Sequence, residues 1–177
     1  RGCSGSFLCS TSIVLVLVRA GEPCFHSQRL TPPQNSPALF TMPKRLTKNW
    51  LAYEFECRCG CRSGHMDPKH VEKLQRLRDG IGVALKVTSG IRCAEYNATI
   101  DGAAKRSWHV PRDGICYACD VTFAHGPRSN SRILKLYTLA DQLHFRGLGL
   151  YRGRIHVDSR PSRRARWIDH FWNWKDS

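Results

Sequence analysis

Two chemically capable side chains stand two positions apart near the C-terminal end of the chain, in Arg154-Ile-His-Val-Asp158. In an extended strand alternate side chains share a face, so Ile155 and Val157 go to one side and His156 and Asp158 to the other. Two groups able to ligate a metal or move a proton then point at the same place. Two more, His109 in Ser107-Trp-His109 and Asp120 in Ala118-Cys-Asp120, flank a loop with Pro111 and Gly114, and closure of that loop can bring them together. Hydrolytic zinc sites use three protein ligands and keep a fourth position for water; His109, Asp120 and His156 meet that count with nitrogen and oxygen donors. The strand geometry alone equally allows Asp158 as the third ligand, with His156 beside it as an acid or base. A lone histidine is more often a hydrogen-bonded structural residue than a ligand, so the pattern counts and no single member does.

These residues need elements to hold them. Asp67-Pro68 offers an N-cap followed by proline at the first helical position, and Val71, Leu74, Leu77 and Arg78 share one face of the helix this predicts, with Gly80 and Gly82 as its stop. Val83–Thr88 reads as a strand turned by Ser89-Gly90, Glu95–Ala98 as a short helical piece, and Ala118–Phe123 as a strand. Ser131–Leu143 reads as a second helix with Ile133, Leu136, Tyr137, Ala140 and Leu143 on one side. Gly147–Tyr151 and Arg154–Asp158 form a hairpin turning near Arg152-Gly153. The class is α+β, a small antiparallel sheet with flanking helices.

A chain of 177 residues holds one ordinary domain with a real core rather than two. With 28 Lys and Arg against 14 Asp and Glu, the formal charge of +14 favours anionic partners such as nucleic acid, anionic membranes or acidic cell-wall polymers. Residues 1–41 differ in character, running from the apolar Ser12–Val18 stretch, too short to span a bilayer, into text rich in Gly, Pro, Ser and Gln. They are expected to be a disordered leader, either signal-like or derived from an untranslated region, with the domain occupying 42–177. The nine cysteines cannot all pair within one chain. Cys57, Cys59, Cys61 and Cys93 are spaced to hold a second, structural zinc, and equally to be reduced or disulfide-bonded.

Taken in order, Phe55-Glu-Cys-Arg-Cys-Gly-Cys61, Thr88-Ser-Gly-Ile-Arg-Cys93, Glu95-Tyr-Asn97, Gly102–His109, Ala118-Cys-Asp120, Gly147-Leu-Gly-Leu-Tyr151 and His156-Val-Asp158 resemble the zinc D-alanyl-D-alanine carboxypeptidases and related murein peptidases, which share a fold with the hedgehog signalling domain. The likeness covers nearly everything after residue 46. It implies that one zinc ion is held by His109, Asp120 and His156, with Asp158 as general base. It further implies that Arg92 binds a substrate carboxylate, a task suited to the fork of a guanidinium. Ser107 is a substrate-binding candidate, or a loop residue satisfying backbone groups. Two departures stand out. Many relatives carry Glu or His just ahead of the last ligand, where this chain has Arg152, Gly153 and Arg154, and the His109–Asp120 loop holds ten residues where many have six.

The function implied is hydrolysis of peptide bonds next to D-amino acids in peptidoglycan stem peptides, as a carboxypeptidase or an endopeptidase, in phage or prophage lysis. The excess of arginine would favour an anionic cell-wall surface. No specific nucleic acid and no stable membrane span are expected. The alternatives are a non-catalytic zinc-containing binding module on the same scaffold, and a zinc-stabilised nucleic-acid binder using the basic, aromatic tail from Arg160 to Trp174.

Overall fold

A computed structural model describes residues 42–170 and 172. The leader expectation for residues 1–41 lies outside the described residues, as do Phe171 and residues 173–177 of the tail.

The first helix, α1 (Pro68–Ile81), starts where the sequence predicts: the Asp67 carboxylate accepts the backbone N–H of His70 at 3.1 Å, and Pro68 takes the first turn. Its apolar stripe buries Val71, Leu74 and Leu77, and His70 is buried with them. After the short helix α2 (Ala94–Ala98), the second long helix, α3 (Asn130–Gln142), buries Ile133, Leu136 and Ala140 and packs against α1. Together the two helices cover one face of the sheet.

The sheet has five strands in the order β2 (Leu85–Ser89), β4 (Ala118–Phe123), β6 (Arg154–Asp158), β5 (Gly147–Tyr151), β7 (Ala165–Ile168). The predicted β5–β6 hairpin is present, pairing Tyr151 with Arg154 at its turn. The first four strands are antiparallel, whereas β7 adds to β5 in parallel, so the outer edge departs from the expected all-antiparallel sheet. Alternation divides the strands into two faces. Val121, Ile155, Leu150, Cys119, Val157 and Leu148 are fully or almost fully buried in the core. The opposite face carries Asp120, His156, Gly149 and Trp167, which are successive cross-strand partners in one row.

The loop between His109 and Asp120 is not loose text. Arg112 and Ile115 exchange both backbone hydrogen bonds at 2.9 Å across Asp113 and Gly114, each with φ above 50°. That is the two-residue turn for which Asp-Gly is suited. Beyond it, β3 (Ile115–Cys116) pairs in parallel with β1 (His65–Met66), so this ten-residue loop is anchored in a second, two-stranded sheet. Among the described residues no helix is long and apolar enough to cross a membrane.

Candidate metal centre

Asp120 on β4 and His156 on β6 are direct cross-strand partners. Their side chains meet, with His156 Nδ1 at 3.0 Å from Asp120 Oδ1. His109 arrives from the loop above, its Nε2 lying 3.1 Å from His156 Nδ1 and 3.3 Å from Asp120 Oδ1. All three residues are buried, and their ligand atoms converge on one point. Two nitrogens and a carboxylate oxygen fit a borderline divalent cation such as zinc.

The surroundings fix which atom of each ring faces that point. His109 Nδ1 lies 2.7 Å from the Gly90 carbonyl, which can only accept, so Nδ1 carries the proton and Nε2 is left as a donor to metal. His156 is turned the other way. Its Nε2 lies 3.1 Å from Asp158 Oδ2, leaving Nδ1 toward Asp120 and His109. Burial works against the charge on Asp120, yet the two histidines outweigh it and hold the carboxyl well below the usual carboxylate range. Burial also drives His109 down in spite of Asp120, favouring the neutral, ligating form.

Asp158 is completely covered, and its carboxylate is fully engaged. Oδ1 accepts from the Arg160 backbone N–H at 3.1 Å and from Arg160 Nε at 2.8 Å. Oδ2 accepts from the same guanidinium as well as facing His156. Burial opposes ionisation here too, but the Arg160 and His156 hydrogen bonds keep the group an anion. Asp158 thus sits behind His156 and is not among the residues that line the cleft.

That cleft, about 790 Å³, is lined by the three converging residues together with Arg92, Ser107, Tyr151, Arg154, Trp167 and Asp169. Arg92 reaches Asp120 Oδ2 at 3.3 Å and Ser89 Oγ at 2.9 Å. Ser107 Oγ accepts the His109 backbone N–H at 3.3 Å while also facing the cleft. A second groove of about 390 Å³ shares Arg92, Asp120 and Arg154 with the first and adds Arg58, Arg128 and Arg152.

Two contributors were not assigned to the site from the sequence. Trp167 packs its ring 5.0 Å from that of His156 and donates from Nε1 to Tyr151 Oη at 2.7 Å. The glycines of Gly147-Leu-Gly149 make room: a Cβ on Gly149 would lie 2.4 Å from Trp167 Nε1, and one on Gly147 would run into the Asp158 carboxylate. Glycine at alternate positions of a strand otherwise rich in leucine was the available signal, since it marks close approach on one face. Three of the tail arginines have acidic partners within the fold. Arg160 is bound to Asp158, and both Arg164 and Arg166 pair with Asp141.

A buried His-Asp-His cluster at the floor of a cleft, on a mixed sheet backed by two helices, defines the metallohydrolase class. The sequence model of the peptidase M15 family matches residues 44–158, and the chain belongs to that family of zinc-dependent peptidases. No curated protein and no solved structure matches the chain.

Proposed function

We propose that the chain hydrolyses peptide bonds next to D-amino acids in bacterial peptidoglycan, as a D-alanyl-D-alanine carboxypeptidase or a murein endopeptidase, in phage or prophage lysis. What supports this most is the convergence of His109, Asp120 and His156 in a cleft of peptide-binding size. These three residues would hold the zinc ion, which when bound polarises a scissile carbonyl and brings the pKa of water toward neutrality. Gly90 and Asp158 fix the two imidazoles in the tautomers that ligation requires.

In this reading Asp158 is a positioning residue, and the proton acceptor is a cleft group. Asp169 is our assignment. It follows β7 with its N–H still bonded to Leu150 O at 2.8 Å, so it lies on the Trp167 side of the strand and lines the same cleft as His156, and its Oδ1 is 3.0 Å from His170 Nδ1. The arginines of the adjoining groove suit the carboxylates of a peptidoglycan stem peptide, and among the described residues Arg58, Arg128, Arg152 and Arg154 form no ion pair.

The test is digestion of purified peptidoglycan by the whole chain, with and without a chelator, and identification of the fragments by mass spectrometry. Chelator-sensitive release identifies the enzyme and its bond. The same scaffold serving as a zinc-containing binding module is favoured by the run Arg152-Gly-Arg154, which supplies no carboxylate ahead of His156. Tight wall binding with no fragment released by the zinc-loaded chain would establish that second function.

A further inference from the structure

Away from the His-Asp-His cluster, ligand atoms converge at one other place among the described residues. The Sγ atoms of Cys57, Cys59, Cys61 and Cys93 all lie within 4.8 Å of one another. Cys57 and Cys59 are 3.3 Å apart, and Cys59 and Cys93 are 3.6 Å apart. Four thiolates bound to one zinc at about 2.3 Å stand at tetrahedral corners about 3.8 Å from each other, a spacing that the 3.3 and 3.6 Å separations approach and the 4.8 Å limit accommodates. Disulfide bonds join sulfurs in pairs at about 2 Å and have no use for four around a common centre.

The backbone is shaped for the same purpose. Gly60 N–H bonds to Cys57 O at 2.9 Å and Gly60 has φ +77°, folding Cys-Arg-Cys-Gly-Cys into a knuckle that turns its sulfurs inward. Backbone N–H groups aim at two of the sulfurs, Cys93 N at Cys57 Sγ (3.3 Å) and Tyr96 N at Cys93 Sγ (3.2 Å). Such bonds are strongest to a charged thiolate. Arg58 and Arg62 lie within the same loop, so the segment that supplies three of the four sulfurs also carries two positive charges.

We propose that these four thiolates bind a zinc ion, and that this ion fastens the turn on which the hydrolytic site is built. Cys93 immediately follows Ser89-Gly-Ile-Arg92. That turn supplies the Gly90 carbonyl to His109 Nδ1, the Arg92 N–H to His109 O at 2.9 Å, and the Arg92 guanidinium to Asp120. On its other side it is tied to the knuckle segment, where Ile91 N–H bonds to Phe55 O at 2.8 Å. Gly90 lies so close to Phe55 that a Cβ would come within 2.4 Å of its carbonyl oxygen. The ion would close this seam between segments more than 30 residues apart in sequence. The fastening rests on His109 being a ligand; the thiolate site itself does not.

The test is metal content of the full chain purified under reducing conditions with zinc supplied, and of two variants. The expected result is two zinc ions per chain, one in Cys59→Ser/Cys61→Ser and one in His109→Ala/His156→Ala. Cobalt(II) loaded into the histidine variant should give intense thiolate-to-cobalt charge-transfer bands, a readout that needs neither activity nor a folded cysteine variant. The remaining zinc of the cysteine variant should be held about 10-fold to 100-fold more weakly than the same site in the unaltered chain. A single zinc per chain with the histidine variant metal-free, or cobalt spectra without thiolate bands, would overturn the site. Unchanged affinity at the histidine cluster in the cysteine variant would overturn the fastening. A chain holding two zinc ions that cuts no peptidoglycan would leave this inference standing and remove the proposed function.

Discussion

His70 gives a prediction whose size follows from its burial. The ring is fully enclosed on α1, edge-on to Phe145 at 5.6 Å, with Nδ1 2.9 Å from Ser159 Oγ and Nε2 3.5 Å from Cys119 Sγ. Loss of hydration on burial pulls its pKa down to about 3 from 6.5, so the folded protein keeps His70 neutral where the unfolded chain protonates it. A group depressed by folding contributes stability above its unfolded pKa and loses it as pH falls. The window therefore runs from 6.5 down to about 3. Within it each pH unit removes about 1.4 kcal/mol, so going from about pH 7.5 to about pH 5 removes about 2 kcal/mol through this residue alone. Urea unfolding of the wild-type chain and of His70→Gln at both pH values isolates the effect, because His109, His156 and every other titrating group are common to both proteins. The wild type should lose about 2 kcal/mol more than the variant on acidification. Equal losses would refute the claim that His70 is a neutral buried group.

Other expectations follow from the same geometry. His109→Ala, Asp120→Ala or His156→Ala should each abolish stoichiometric zinc at the histidine cluster and any peptidoglycan hydrolysis, measured by metal analysis and fragment release. Asp158→Asn, which cannot hold His156 and Arg160 as an anion does, should weaken zinc binding about 10-fold to 100-fold in a chelator competition. Asp158→Ala should cost about 3–5 kcal/mol in urea unfolding by leaving Arg160 unpaired. Gly149→Ala should displace Trp167, visible as a shift in tryptophan fluorescence and lower activity. Arg128→Glu/Arg152→Glu should raise KM for stem peptides with free carboxylates and leave KM for their amidated forms nearly unchanged.

The helices and central strands were legible because each announces itself locally, α1 through Asp67-Pro68 and an apolar stripe, and β6 through the alternation of Ile155 and Val157 with His156 and Asp158. The meeting of His109 with Asp120 could be anticipated from the loop closure that Gly114 allows. The position of Asp158 could not. Strand alternation correctly puts it on the face of His156, but which of the two meets the cleft depends on Arg160 folding back over it, a contact with no periodic signature. The parallel strand β7 was hidden for a similar reason. Ala165-Arg-Trp-Ile168 reads as basic tail until its pairing with β5 is known, and Arg166 is held down by Asp141, 25 residues away in sequence.

The pairing of Asp120 with His156 across β4 and β6 makes the strand register itself something a metal can sense. A slip of one residue would put Cys119 or Val121 opposite His156 and turn Asp120 into the apolar core. A cation bound by both strands rewards only the correct alignment, and its binding energy is added to the gap between the native sheet and its slipped competitors. Refolding with metal present should therefore give fewer misaligned chains than refolding in chelator.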